Sequence, residues 1–215
     1  MRTQSNTKIV FEVKEIFQSI QGEGLMLGVP MNFIRFARCN LKCKWCDTDF
    51  SDGKLLTPNE ILSRLNKKLK WVSLTGGEPM LQENLIYLIE KLHEEKFSVL
   101  LETNGSIFNK KILDDSDFIS ADIKPPSSGN PVFDDRVVRY CIKNPERSQL
   151  KMVIKDGNDL KFFKQIYNKY DGNYENWILQ PEWNSISKLC GEGILMEIDE
   201  NVRIIPQIHK ILNLR

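Results

Sequence analysis

Three cysteines within eight residues are the part of this sequence best suited to chemistry. Cys39, Cys43 and Cys46 form a C-x3-C-x2-C pattern, whereas Cys141 and Cys190 lie far downstream. Two disulfides would need four cysteines in one frame, and a zinc site usually adds a second C-x2-C pair or two histidines. Three thiolates on one loop can instead hold three irons of a cubic iron–sulfur cluster, which leaves the fourth iron open to another ligand. The pattern indicates a metal site.

A second loop that could take part in chemistry is the run TGGEP, residues 75–79. It follows a short apolar segment, residues 71–74, that is typical of a buried strand. Glycine has no side chain, so its backbone can approach a ligand closely. The alternative interpretation is a plain turn. Because the cysteine pattern follows the preceding strand of the chain, we favour a ligand-binding loop over a plain turn for residues 75–79.

Strands and helices alternate in the pattern that surrounds these two loops. Thr57, Pro58 and Glu60 have the spacing of an N-cap, a first-turn proline and a capping-box glutamate. Hydrophobic periodicity predicts strands over 8–17, 31–37, 71–74, 97–101, 118–123, 150–154, 177–180 and 202–205. It predicts helices over 57–69, 82–95, 134–142, 160–170 and 186–198.

This alternation predicts an α/β fold with a mostly parallel sheet and right-handed crossovers. About six strand-and-helix units can be counted. A closed eightfold barrel takes ~250 residues, and this chain has 215. We therefore expect an open, incomplete (β/α)6-type barrel. Polar residues collect after the strand ends, the edge at which parallel sheets bind ligands, so the site is expected at the barrel mouth.

Composition limits the classes of function. The chain has 30 basic and 29 acidic residues and a formal charge of +1, which gives no electrostatic footprint for nucleic acid or an anionic membrane. Residues 1–7 lack an apolar signal region, and no run is long enough to span a membrane. Unpaired cysteines suit a reducing compartment. We expect one domain over residues 1–215, with the cysteine loop at 38–50, in a cytoplasmic protein.

Several motifs together resemble a known family. The three cysteines, Trp45 and the TGGEP run resemble the radical S-adenosylmethionine (SAM) superfamily. The closer resemblance is to the 7-carboxy-7-deazaguanine synthase family, and it extends from about residue 11 to residue 210. It is carried by FQSIQGEG at 17–24, FIR at 33–35, CDT at 46–48 and QIHK at 207–210.

The resemblance implies a radical SAM lyase with one 4Fe-4S cluster, SAM and Mg²⁺. In this family a 5′-deoxyadenosyl radical takes a hydrogen from 6-carboxy-5,6,7,8-tetrahydropterin. Ring contraction with loss of ammonia then gives 7-carboxy-7-deazaguanine, a step of queuosine-type deazapurine biosynthesis, and SAM is regenerated. The resemblance further implies a reducing donor such as flavodoxin or ferredoxin, and a homodimer.

The same resemblance assigns residues to SAM. Gly77 would contact its amino group. Glu102, Thr103 and Asn104 end a predicted strand and are placed to hydrogen-bond the SAM ribose; the alternative is that they form a cap and turn with Gly105. The family often has Ser-Pro-Lys where this chain has Asp122-Ile123-Lys124, so that only Lys124 matches by type. The remaining segment expected to border SAM consists of Gln180, Pro181, Glu182 and Trp183.

Other residues are assigned to the pterin and to magnesium. The expected substrate contacts are Ile20, Gln21, Gly22, Arg35, Thr75 and His209. Arg35 shares a strand face with apolar residues and needs an anionic partner, which is either the substrate carboxylate or a structural carboxylate such as Glu23 or Glu78. Thr48 is the expected Mg²⁺ contact, while Asp47 and Asp49 either contribute to that site or cap the loop. The alternative for His209 is a purely structural role.

Two other functions use part of the same pattern. A glycyl-radical activase shares the C-x3-C-x2-C loop but acts on a protein, so it has no need of Gln21, Arg35 and Thr48. A zinc-binding module would complete the cysteines with a histidine or a distant cysteine. Cys141 and Cys190 fall in predicted helices and are interpreted as small buried apolar residues.

Overall fold

A computed structural model of the chain describes residues 9–46, 48–170 and 174–214. The expectations for the polar residues 1–7, for the start of the first strand at residue 8 and for Asp47 lie outside these residues.

Nine strands and seven α-helices are present in the described ranges. The strands are β1 Phe11–Ile20, β2 Pro30–Phe36, β3 Lys54–Leu56, β4 Trp71–Gly76, β5 Ser98–Thr103, β6 Phe118–Asp122, β7 Ser148–Ile154, β8 Trp177–Pro181 and β9 Val202–Ile204. The helices are α1 Pro58–Leu62, α2 Leu85–Glu94, α3 Lys110–Asp115, α4 Asp135–Lys143, α5 Gly157–Lys169, α6 Ile186–Gly191 and α7 Ile208–Ile211.

The strands form one curved sheet in the order β3-β1-β2-β4-β5-β6-β7-β8-β9. From β2 to β9 every neighbouring pair is parallel, and β1 runs antiparallel to both β2 and β3. The sheet begins at β3 and ends at β9, which are not paired with each other, so the barrel is open. The predicted fold class is confirmed.

Some predicted boundaries are wrong. The helix expected over 57–69 ends at Leu62, although its predicted capping box is present at Thr57 and Glu60. It stops because the fully buried Asn32 side chain binds the backbone of Asn66, accepting from its N–H at 2.8 Å and donating to its carbonyl at 3.2 Å. The helix expected over 186–198 ends at Gly191. The short elements β3, α3 and α7 were not predicted.

The face of the sheet that packs against the helices is apolar. Along the opposite, inner face the side chains change from apolar to polar toward the carboxyl ends of the strands. The main core lies between the sheet and the helices, where the stripe Leu85, Leu88 and Leu92 of α2 is fully buried. On the inner face Phe17 and Phe33 stack with ring centres 5.0 Å apart, and they form an apolar floor with Leu100. Because strand side chains alternate, the next inward positions toward the carboxyl ends are polar. Among the described residues, no helix is long and apolar enough to cross a membrane.

Candidate active site

A cavity of about 440 Å³ opens at the carboxyl ends of the parallel strands, a size typical of small-molecule sites. Most of the residues assigned from the sequence line this cavity: Cys39, Cys43, Cys46, Thr48, Ile20, Gln21, Gly22, Arg35, Thr75, Gly77, Glu102, Thr103, Asp122, Lys124, Gln180, Glu182, Trp183 and His209. Ile123 and Pro181 are not among its lining residues; the side chain of Ile123 belongs to the hydrophobic core.

The cysteine loop, residues 38–50, leaves β2 through Arg38, whose φ of 65° is in the left-handed region. The glycine-rich loop, residues 75–79, packs directly against this exit. Gly77 N–H donates to the carbonyl of Phe36 at 3.0 Å, and Glu78 N–H donates to that of Arg38 at 2.9 Å. A β-carbon at Gly77 would overlap the Arg38 carbonyl. The glycine therefore serves close contact between the two loops, in addition to lining the cavity.

We expect Gly77→Ala to displace the cysteine loop. The added methyl group meets rigid backbone, so the free energy of unfolding should fall by roughly 1–3 kcal/mol or more, and less iron should be bound per chain. Denaturant unfolding and iron analysis measure both effects. The matched control is Gly157→Ala, where a β-carbon meets no atom within 4 Å. Equal stability and iron content in the two variants would contradict this packing role.

The far side of the cysteine loop is held by the segment that follows β6. The N–H of Lys44 donates to the carbonyl of Ser128 at 2.9 Å, and the indole N–H of Trp45 donates to the hydroxyl of Ser127 at 3.1 Å. The ammonium of Lys124 lies 5.3 Å from the centre of the Trp45 ring. Trp45 therefore anchors the loop by packing and hydrogen bonding.

The thiols themselves are partly shielded from solvent. Cys39 and Cys43 are partly buried and Cys46 is exposed, and burial raises the pKa of the Cys39 and Cys43 thiols. Cys39 Sγ lies 3.4 Å from the N–H of Leu41 and 3.8 Å from the side-chain amide of Asn104. Such donors stabilise a thiolate once a metal has displaced its proton.

The three thiols of the loop are not preorganised around a single point. In the described part of the chain, no three His, Cys, Asp or Glu side chains are grouped so that they could hold one metal ion. A zinc module needs such convergence on one point. A cubic cluster places each thiolate on its own iron.

The carboxylate of Glu78 joins the glycine-rich loop to the end of β5. Glu78 is fully buried, and its carboxylate accepts hydrogen bonds from the N–H groups of Met80 at 3.0 Å and Asn104 at 2.7 Å and from the hydroxyl of Thr103 at 2.8 Å. Burial raises its pKa, and these three donors oppose that shift. Thr103 also accepts from the N–H of Gly105, which forms a turn after β5, and Thr103 lines the cavity as well.

Glu102 organises the opposite half of the cavity. Its carboxylate accepts from Gln21 at 2.7 Å, Ser73 at 2.8 Å and Thr75 at 3.2 Å. Gln21 also accepts from the N–H of Glu23 at 3.1 Å, which orders the turn after β1. The sequence assigned Glu102 to SAM, but the structure places its carboxylate among the residues assigned to the substrate.

Arg35 lies in the same half of the cavity. Its guanidinium stands 5.4 Å above the ring of Phe17 and donates to the hydroxyl of Thr48 at 3.0 Å. Its Nε is 3.0 Å from Glu15 Oε1, the cross-strand neighbour on β1. The structural partners suggested by the sequence were Glu23 and Glu78; the carboxylate found beside Arg35 is that of Glu15.

The side chain of Asp49 binds groups at the end of the cysteine loop, the capping role that was one of its two predicted alternatives. Its carboxylate accepts from the N–H of Ser51 at 2.9 Å and from the Ser51 hydroxyl at 2.7 Å, and it pairs with Lys14 at 2.9 Å. These contacts lower its pKa well below the ordinary range. Asp49 therefore caps the end of the cysteine loop.

The residues assigned to SAM leave polar atoms ready for a ligand. Gln180 is fully buried in the cavity wall, and neither atom of its side-chain amide has a hydrogen-bond partner within the described residues. The same holds for Oδ1 of Asp122, whose other oxygen lies 3.0 Å from Nζ of Lys124. Buried polar atoms without partners are costly. They fit a polar cofactor in this part of the cavity.

The chain closes over the cavity through residues 207–214, the C-terminal segment. Gln207 donates to Glu23 Oε1 at 2.7 Å, and the N–H of Ile208 donates to the carbonyl of Gly22 at 3.0 Å. The His209 ring fills the space where Gly22 has no side chain. His209 is thus placed against the turn after β1.

Sequence reasoning missed Lys151 and Gln207 as cavity residues. Lys151 is a lysine within the apolar strand β7, and its inward side chain pairs with Glu23. A lone cation inside a buried strand is a signal that could have identified it. The other expectation to correct is Cys190, which is exposed, whereas Cys141 is buried as expected.

Comparison with known proteins agrees with this geometry. Residues 33–117 match the radical SAM superfamily. The chain is 38% identical to the 7-carboxy-7-deazaguanine synthase of Thermoplasma acidophilum, over 93% of this chain and 96% of that protein. It is 30% identical to the synthase of Aquifex aeolicus, over 97% of this chain and 96% of that one. The crystal structure of QueE from Escherichia coli shares the fold, with a TM-score of 0.72, 21% identity, and coverage of 92% of this chain and 94% of that one. The chain therefore belongs to the 7-carboxy-7-deazaguanine synthase family of the radical SAM superfamily.

Proposed function

We propose that this protein converts 6-carboxy-5,6,7,8-tetrahydropterin into 7-carboxy-7-deazaguanine and ammonia. The observation that carries the proposal is the contact between Arg35 and Thr48. It joins the cation assigned to the substrate carboxylate to the hydroxyl assigned to magnesium. Thr48 also lies two residues after Cys46, so the same contact links the substrate half of the cavity to the cysteine loop.

In this proposal Cys39, Cys43 and Cys46 hold a 4Fe-4S cluster, and Gly77, Asp122, Lys124 and Gln180 border SAM. When bound, cluster and SAM supply a carbon-centred radical that takes a hydrogen atom from the substrate. The chain must keep water and oxygen from that radical. Trp45 and the C-terminal segment stand on two sides of the cavity and serve this purpose.

The substrate half supplies orientation. A guanidinium can bind a carboxylate through two parallel N–H···O bonds, and Arg35 stands above Phe17 with its Nη1 turned to Thr48. Beside it, the array of Gln21, Glu102 and Thr75 offers donors and acceptors to the polar edge of a pterin. His209 packs against the turn at Gly22 and lines the cavity. Fixing a bicyclic substrate at both ends aligns one C–H bond with the radical.

Magnesium is part of the proposal, with Thr48 as its protein contact. A hard cation that keeps most of its waters can use one hydroxyl and the substrate carboxylate as ligands. We expect Thr48→Val to raise the Mg²⁺ concentration needed for half-maximal turnover by roughly tenfold. The reason is that the cation loses one protein ligand, whose contribution we take to be that of an ordinary hydrogen bond. Thr48→Ser keeps the hydroxyl at the same position and is the matched control, which should retain the wild-type Mg²⁺ dependence. An unchanged Mg²⁺ dependence in Thr48→Val would remove Thr48 from the site.

The experiment that tests the function is anaerobic turnover. Protein with reconstituted cluster is mixed with SAM, a reductant and the carboxylated tetrahydropterin, and the products are identified by mass spectrometry. The proposal predicts 7-carboxy-7-deazaguanine and ammonia in equal amounts. SAM cleavage without any deazapurine would favour an activase that acts on a protein. Zinc without iron and sulfide in anaerobically purified protein would favour a zinc module.

The same proposal includes a small redox protein of the flavodoxin or ferredoxin kind as electron donor, a homodimer and a cytoplasmic location. An oxygen-sensitive cluster needs a reducing compartment. Size-exclusion chromatography with light scattering tests the dimer.

A further inference from the structure

Lys151 is a buried cation for which the proposed reaction has no task. It lies on β7 facing the cavity, and its side chain is 7% exposed. Its ammonium forms an ion pair with Glu23 and stands 3.4 Å from Asp122 Oδ2. Burying an ammonium is costly unless carboxylates compensate its charge. Two carboxylates from different parts of the chain therefore converge on this one side chain.

Glu23 connects Lys151 to the C-terminal segment. One carboxylate oxygen, Oε2, binds Lys151, and the other, Oε1, accepts from the side chain of Gln207 at 2.7 Å. Next to it, the carbonyl of Gly22 accepts from the N–H of Ile208. These two hydrogen bonds join the start of the C-terminal segment to the turn after β1.

The pair keeps Glu23 ionised, which makes its carboxylate a stronger acceptor. Burial alone would raise the pKa of its carboxyl, but Lys151 and Gln207 lower the pKa to about 2. Burial likewise opposes the charge of Lys151, yet its pKa is raised by Glu23 and Asp122. Such a strongly held ammonium is a poor proton donor, so we expect its role to be structural and not acid catalysis.

We propose that Lys151 is a positioning residue that holds the Glu23 carboxylate where it fastens the C-terminal segment, and with it His209, over the cavity. The link to substrate rests on the proposed function. The fastening of the segment does not, because it is a property of the protein without substrate.

Amide hydrogen exchange at Ile208 tests the fastening in the complete protein. Loss of a hydrogen bond of ordinary strength corresponds to opening that is roughly fivefold to tenfold more frequent. We expect this acceleration at Ile208 in Lys151→Met, while the amide of Leu74 in the core strand β4 keeps its protection. Lys161→Met, on the exposed face of α5, is the matched control and should exchange like the wild type. Wild-type protection of Ile208 in Lys151→Met would overturn the proposal.

Two further variants guard the result. If Lys151→Met does not fold, Lys151→Gln is measured instead and judged by the same criterion. Lys151→Arg keeps a cation near Glu23, and we expect it to restore much of the protection at Ile208. If Arg fails to restore protection where Gln and Met lose it, charge is not the reason for the effect and the proposal is overturned.

Kinetics then connects the segment to the substrate. If the C-terminal segment closes over a bound pterin, Lys151→Met should raise the KM for the pterin roughly tenfold, the effect of removing a single hydrogen bond of ordinary strength, with a smaller effect on kcat. A faster Ile208 exchange with an unchanged KM would contradict the link to substrate but keep the fastening. If the wild-type protein does not turn over the pterin, the proposed function fails, and the exchange result still decides the role of Lys151.

Discussion

Cys43→Ala is expected to abolish SAM cleavage. The three cysteines of the loop are separate ligands of one proposed cluster, so removing one of them leaves the cluster with two protein ligands. With two ligands the cluster should not survive purification, and without it no electron reaches SAM. Iron and sulfide per chain and the yield of 5′-deoxyadenosine under reducing, anaerobic conditions measure the loss. We expect both to fall to the background of protein without cluster.

Cys190→Ala is the matched control for this variant. Cys190 is exposed on α6 and distant in sequence from the cysteine loop. It should retain wild-type iron content and wild-type SAM cleavage. Substantial 5′-deoxyadenosine from Cys43→Ala, or an equal loss from Cys190→Ala, would contradict the assignment of the cluster ligands.

Arg35→Ala is expected to reduce pterin turnover and to leave the reductive cleavage of SAM intact. Charge-assisted hydrogen bonds to a carboxylate contribute about 1.5–3 kcal/mol, so kcat/KM for the pterin should fall by roughly 10- to 150-fold. Reductive cleavage of SAM in the absence of pterin should persist, because the cysteine loop is also held by Gly77, Glu78 and Trp45. Comparing the two rates in the same preparation gives the result.

Two controls sharpen the Arg35 experiment. Arg64→Ala removes an exposed arginine and should leave both rates unchanged. Arg35→Lys keeps the charge but loses the planar pair of donors, so we expect only partial recovery of pterin turnover. Undiminished pterin turnover in Arg35→Ala would show that Arg35 is held by Glu15 for a structural reason alone.

Local sequence patterns were sufficient for the architecture. Hydrophobic periodicity located the parallel strands that carry the two loops, and chain length distinguished an open barrel from a closed one. Boundaries failed where tertiary contacts override local preference. Asn32 ends α1 by binding the backbone at Asn66, a contact between residues that are 34 positions apart. No local pattern contains that information.

The residues of the site that belong to sequence motifs could be predicted. The cysteines of the loop and Arg35 lie at the cavity because strand ends of a parallel sheet meet at one edge, and His209 lines it from α7. The partners of these residues were not predictable. Glu102 joins Gln21, Ser73 and Thr75 across neighbouring strands, and such groupings depend on register and curvature. Gly77 was expected to contact a ligand, but its tightest constraint is the backbone of Arg38.

The central claim is that three sulfurs from one loop hold a cluster and leave one iron open. Mössbauer spectroscopy of protein reconstituted with ⁵⁷Fe, recorded with and without SAM, tests it most directly. We predict that a single iron site changes its spectrum when SAM is added, while the other three keep theirs. A cluster whose four irons are all insensitive to SAM would contradict the account, as would a protein that takes up no iron.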